Sequence, residues 1–207
     1  IYEQPTQIAE LDLDIPFNDH LIGEAYFFKN KKINKPMDFS GKNYMSLVEQ
    51  HNFLIQLIFP EISNSKSQLQ LTESDYEFLL REMSMLPRES EFPKYGEDYY
   101  DSYCKFFIYG NSKERMPDHV KIFNKVGLAY GFLLDNAYIV DFENKIEFFL
   151  SAVVYSNSNG VLNDDSYDYD TLTIPFLADV GRAIYEYELQ RDREFDPDLS
   201  HLNKIDS

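Results

Sequence analysis

Residues 145–155 constrain the fold of this chain more than any other stretch. Phe148, Phe149, Leu150, Ala152, Val153 and Val154 fall on both sides of an extended segment, which leaves hardly any polar face. A strand apolar on both sides must be covered on both sides, so layers are expected above and below a sheet. Residues 120–125 and 129–142 share this character, being rich in aromatic and β-branched side chains with period-two alternation in places. Glu143-Asn144 is a tight connection between the last two runs and predicts an antiparallel hairpin.

Before these strands the period is helical. Tyr44, Leu47, Val48, His51, Leu54, Ile55 and Ile58 recur at helical spacing over residues 43–59, and Pro60 stops the run. Met45, Phe53 and Leu57 widen the stripe, which predicts a helix buried on more than one side. A second helix is expected from Thr72, an N-cap residue followed by Glu73 and Asp75, with Tyr76, Leu79, Leu80 and Met83 as its face and Pro87 beyond its end. Residues 88–97 read as surface loop. Residues 99–109 are open between helix and strand, and Tyr100, Cys104 and Phe107 favour helix. After the strands comes an acidic loop over 163–170. Thr173 then caps a final helix to about Arg191, with Pro175 in its first turn and Leu177, Val180, Ile184 and Tyr187 as one stripe. Residues 1–39 are punctuated by Pro5, Pro16 and Pro36 and read as loop with one short hairpin. The whole is an α+β chain forming a single domain over 1–207, mostly helical over 1–118, with three antiparallel strands in sequence order and then a C-terminal helix over 119–207.

Composition narrows the function classes. The 207 residues carry 36 Asp+Glu against 19 Lys+Arg, a formal net charge of −17. That balance argues against nucleic acid as the main ligand, because phosphate binding needs clustered Lys and Arg. The 16 Tyr and 17 Phe argue against an acidic disordered tail. No apolar run is long enough to span a bilayer. Cys104 is the lone cysteine, so neither an intrachain disulfide nor a Cys-rich zinc site is expected.

The segment Ile122-Phe123-Asn124-Lys125-Val126-Gly127 carries a Lys-x-Gly on an expected strand, followed by two long antiparallel strands and a C-terminal helix. This resembles the third motif of the penicillin-binding serine hydrolases, which in class A β-lactamases is Lys-Thr/Ser-Gly. The flanks share the likeness: Pro60-Glu61, Met83-Ser84-Met85-Leu86-Pro87-Arg88-Glu89-Ser90 and Asp135-Asn136-Ala137-Tyr138-Ile139-Val140-Asp141 resemble a β-lactamase-related group common in Bacteroidetes. The resemblance covers residues 38–189 and implies a β-lactamase/transpeptidase-like fold. It also implies acyl-enzyme hydrolysis or acyl transfer on a small-molecule or peptide-like amide or ester, without a cofactor, in the bacterial periplasm or cell envelope.

In that family the Ser-x-x-Lys and Ser-Asp-Asn motifs belong to earlier segments, so the chain reads as the C-terminal part of such an enzyme, with a homodimer or a complementing N-terminal fragment expected. Lys125, Val126 and Gly127 are the implied substrate-binding positions, with Lys125 supplying site electrostatics. Val126 stands where the family has a hydroxyl residue, and no arginine follows on the next strand. The alternative is a non-catalytic binding or scaffold relative that kept the fold.

Other residue patterns are weaker. Ser102-Tyr103-Cys104-Lys105 is a literal Ser-x-x-Lys, and on a helix it would set hydroxyl and amine one turn apart. It reads mainly as helix surface. Ser63-Asn64-Ser65-Lys66 lies in an expected polar loop. His51 on an apolar stripe reads as a core histidine, and His20, His119 and His201 have no metal-site spacing. The acidic residues of 163–170 lack the EF-hand interleaving and its glycine, so a solvated turn is expected there, and no metal. Cys104 reads as a buried thiol.

Overall fold

The computed structural model describes residues 20–42, 45–62 and 69–202. The expectations for Asn43, Tyr44, for 1–19 and for Ser63-Asn64-Ser65-Lys66 lie outside these residues. The centre is a three-stranded antiparallel sheet in sequence order, built from β5 (Val120–Ala129), β6 (Phe132–Asp141) and β7 (Ile146–Tyr155). This is the expected order and pairing, although β5 runs four residues past Lys125. The β5–β6 turn is Tyr130-Gly131, with φ of 57° and 89°, as a two-residue hairpin with right-handed strand twist requires. At the other end the Asp141 carboxylate accepts from the backbone N–H groups of Glu143 and Asn144, each at 2.9 Å, and fixes the longer β6–β7 turn.

Both faces of the sheet are covered, as the double-sided apolar strand demands. One face carries Phe123, Tyr138, Val140 and Phe149 against Leu54, Ile58, Leu80 and Leu202. The other carries Ile122, Leu133, Ala137 and Ile139 against Phe106, Phe107, Met116 and Leu177. The first face is roofed by α1 (Leu47–Ile58) and α2 (Glu73–Ser84). Each begins with a capping box, Ser46 with Glu49 and Thr72 with Asp75, in which side chain and backbone satisfy each other's free donors. The Ser46 cap was missed because the apolar pattern begins before it. α1 is not buried on more than one side: Val48 is 68% exposed, and Phe53 and Met45 are also open.

The N-terminal part adds short strands. β1 (Leu21–Ile22) pairs with β4 (Met37–Asp38). β2 (Ala25–Phe28) and β3 (Lys31–Ile33) form the expected hairpin, which also pairs parallel with β8 (Val161–Leu162) through β2. Two-residue strands carry too little pattern to be read from sequence.

Residues 99–109 form turns rather than the expected helix. Cys104 and Ile108 have φ of 61° and 67°, which a right-handed helix does not contain. Lys105, Phe106, Phe107 and Ile108 are buried, so the segment is core, held by tertiary contacts. The final helix α3 (Ile174–Gln190) is present with Pro175 in its first turn. Thr173 does not cap it: Thr173 is itself helical, closes a π turn over Tyr169–Thr173, and its hydroxyl bonds Ser156. The buried face is Leu177, Ala178, Gly181 and Glu188 rather than the stripe ending in Ile184 and Tyr187, and Tyr187 is 60% exposed. The reason is Gly181: a Cβ there would lie 2.3 Å from the Ile108 backbone nitrogen, so the helix approaches through its small residues.

Among the described residues no helix is long and apolar enough to cross a membrane. The mixed α+β class with an antiparallel sheet is what the sequence predicted.

Candidate functional site

Lys125 lies on β5, an outer strand of the sheet, with its side chain exposed. It shares a face with the residues opposite it, because side chains alternate along a strand and cross-strand partners line up. The register places Lys125 opposite Asn136 on β6, and Asn136 opposite Ser151 on β7. The outcome is a polar row beside an aromatic one, since the neighbouring row on the same face is Phe123, Tyr138 and Phe149.

The row is wired to α1. Ser151 Oγ donates to Asn136 Oδ1 at 2.6 Å, Asn136 Nδ2 donates to the Gln50 carbonyl at 2.8 Å, and His51 Nδ1 lies 2.7 Å from Ser151 Oγ. With the serine hydrogen committed to Asn136, His51 must donate through Nδ1, which fixes its tautomer. This arrangement holds the row in place but does not activate Ser151, because the histidine lone pair is not aimed at the hydroxyl hydrogen. His51 is therefore half-buried and partnered, close to the core role read from the sequence. Its link to Ser151, a hundred residues away, left no sequence signal.

A groove of about 510 Å³ opens between α1, α2 and this end of the sheet. Phe53, Leu54, Leu57, Leu79 and Met83 line it, and Lys125 and Asn136 supply its polar end on the sheet side. Lys125 Nζ donates to the Val126 carbonyl and has no carboxylate partner among the described residues. A cation beside an apolar groove can hold an anionic or carbonyl oxygen of a ligand whose remainder is apolar.

Val126 and Gly127 play separate parts. Val126 points to the opposite face and packs on the core beneath. Gly127 shares the face of Lys125, and a Cβ there would meet only Leu134 Cβ at 3.8 Å, so packing leaves room above the strand.

The second candidate, Ser102 with Lys105, is placed differently from the sequence reading. Ser102 and Lys105 do not lie on a helix and are not surface residues: both are buried in the turns of 99–109. Ser102 Oγ donates to the Ser112 carbonyl at 2.6 Å. Lys105 Nζ donates to the carbonyls of Met83 and Ile122 and to Asn124 Oδ1, at 2.6, 2.8 and 2.7 Å, which uses all three ammonium hydrogens. Burial pulls the Lys105 ammonium down to about 8, and the nearby Asp135 and Cys104 pull the other way. Burial likewise pushes the Asp135 carboxyl up to about 6, against the donors Asn124, Phe107 and Phe106 and the Lys105 charge. Asn124 bridges the two, giving its Nδ2 to Asp135 Oδ1 at 2.8 Å. The motif is a buried latch tying 99–109 to β5, β6 and the end of α2.

Cys104 is half-buried, and desolvation raises its thiol above the ordinary range. Among the described residues no group of His, Cys, Asp and Glu is arranged to hold a metal ion. Comparison with known protein families, with curated proteins and with solved structures returned no match to this chain.

Proposed function

We propose that this chain provides the lysine-bearing side of a serine acyl-transfer site of the penicillin-recognising type. The reaction is hydrolysis or acyl transfer on an amide or ester through an acyl-enzyme, in a bacterial cell envelope. The observation that carries the proposal is the placement of Lys125. It stands on an outer strand followed by two antiparallel strands and a long helix, with its ammonium beside an apolar groove. There it would hold the substrate's anionic or carbonyl oxygen by a charge-assisted hydrogen bond. The nucleophile comes from outside the described residues. Both described serine–base pairs are already committed, Ser102 to a carbonyl and Ser151 to Asn136. A homodimer or a companion fragment completing the sheet belongs to the same proposal.

A second reading, a binding relative that kept the fold without the chemistry, is favoured by Val126, which offers no hydroxyl, and by the apolar lining of the groove. Incubation with a fluorescent penicillin and a fluorophosphonate, followed by mass mapping, separates the two. The expected result is no labelled serine in the 207-residue chain, and labelling once a companion segment carrying a Ser-x-x-Lys helix is supplied. Lys125→Ala should then slow labelling by roughly a hundredfold, the scale of losing one charge-stabilising donor. Labelling at Ser102 that disappears in Ser102→Ala overturns the proposal. Labelling in neither preparation leaves the binding reading.

A further inference from the structure

Residues 91–100 are exposed at every position, yet four of the ten are aromatic: Phe92, Tyr95, Tyr99 and Tyr100. Phe92 is 96% exposed. A soluble chain has no folding reason to gather aromatic rings outside its core, and contiguous exposed apolar surface marks an interaction site. The rings are ordered against one another. Tyr95 and Tyr99 have centroids 5.0 Å apart, Tyr99 and Tyr103 meet edge to face at 4.9 Å, and Tyr95 and Tyr103 lie 6.2 Å apart. The loop beneath them is pinned. Asp101, buried, accepts from Arg88 Nε on both carboxylate oxygens at 3.1 Å and from the Met116 N–H at 2.9 Å. Ser90 Oγ bonds the Pro93 carbonyl at 2.8 Å.

The surface has a sign as well. Glu91, Glu97 and Asp98 are exposed, with Lys94 the one exposed cation in that stretch. Among the described residues none of the three carboxylates is in an ion pair. One tyrosine of the loop already holds a cation on its face: Lys113 Nζ sits 5.3 Å from the Tyr100 ring centroid. Aromatic faces attract ammonium and guanidinium groups through their quadrupole, and neighbouring carboxylates add charge complementarity.

We infer that the tyrosine face of residues 91–103 docks a cationic protein segment rich in Lys or Arg. The Tyr95–Tyr99–Tyr103 cluster stacks on its side chains, and Glu91, Glu97 and Asp98 pair with its charges. This surface is independent of the groove beside Lys125 and stands whether or not that site is catalytic.

The test is an amide NMR titration of the full chain with a short Arg/Lys peptide. The variants are Tyr99→Leu/Tyr103→Leu, which leaves the net charge unchanged, and Glu97→Gln/Asp98→Asn, which leaves the rings in place. Shifts confined to 91–103 are expected. Affinity should fall roughly tenfold in the tyrosine variant, the worth of two exposed cation–π contacts, and should also fall in the charge variant. Spectra of both variants establish that the fold is kept. Shifts spread over the acidic surface and unchanged in Tyr99→Leu/Tyr103→Leu overturn the inference, as does the absence of shifts. A linear glucan that shifts the same residues while the peptide does not identifies a sugar platform instead and overturns it equally.

Discussion

At the residue scale the polar groups of the interior carry most of the information. Lys105 and Asp135 are charged groups in a place where charge is costly, and each is surrounded by the hydrogen-bond partners that such burial demands. Asp141 behaves differently. Burial works to raise its carboxyl, but Asn144, Tyr185 and His119 outweigh this and hold it below the ordinary range. A carboxylate with a lowered folded-state pKa contributes stability above its unfolded value near 3.8. That contribution is lost as pH falls through the folded pKa. Urea denaturation at several pH values should therefore show stability falling below about pH 4, with a shallower fall in Asp141→Asn. Equal slopes in the two proteins would place the acid sensitivity elsewhere. The Ser102-to-Lys105 motif carries a related lesson. Its spacing was legible, but its meaning depended on whether the segment was helical, and residues far along the chain decided that.

At the scale of elements, local signals worked where capping and periodicity act within one segment. The Thr72 start of α2 and the position of Pro175 in α3 were both readable from neighbouring residues. The face of α3 was not. Its apolar residues Ile184 and Tyr187 suggested one side, whereas Gly181 faces the turn at Phe107 and Ile108, where a Cβ does not fit, and Ala178 is buried with it. Gly181→Ala should destabilise the chain by about 1–3 kcal/mol, the cost of overpacking, because its new methyl meets backbone rather than a movable side chain. Chemical denaturation checks this. A neutral or stabilising effect, as helix propensity alone would give, would show that α3 can shift away from residue 108 at little cost.

At the scale of the whole molecule the central sheet has three strands and two outer edges among the described residues. Among the described residues β5 and β7 each pair with one strand, β6, so neither outer edge has a neighbouring strand, although on β5 Lys105 takes the Ile122 carbonyl and Lys125 the Val126 carbonyl. β7 carries Glu147 as its only charged side chain, and Val153 and Tyr155 are exposed on it. Natural sheets usually protect such an edge with charge, proline or a covering segment. Light scattering across a concentration series is expected to show self-association that Val153→Lys reduces, or a stable complex once a companion segment is supplied. A wild-type chain that stays monomeric in both settings would count against edge pairing. The net charge of −17 opposes association in low salt, so the association should strengthen as salt is added.

The sequence alone determined the three strands, the hairpin between the last two, the burial of the sheet on both sides and the existence of helices α1 and α2. Each of these follows from the spacing of apolar residues or from a cap within one segment, and such local terms need no knowledge of distant residues. The resemblance carried by residues 122–127 singled out Lys125 as the cation to examine. Only the tertiary structure decided what stood around that lysine. The Lys125–Asn136–Ser151 row needs the strand register, and the His51 bond needs helix α1 laid across β7. The fate of Ser102 and Lys105 was decided the same way, by a burial that Asn124, Asp135 and two backbone carbonyls make tolerable. Contacts between residues far apart in the chain leave no periodic trace, so a polar side chain destined for the interior reads like one destined for water until its partners are in place.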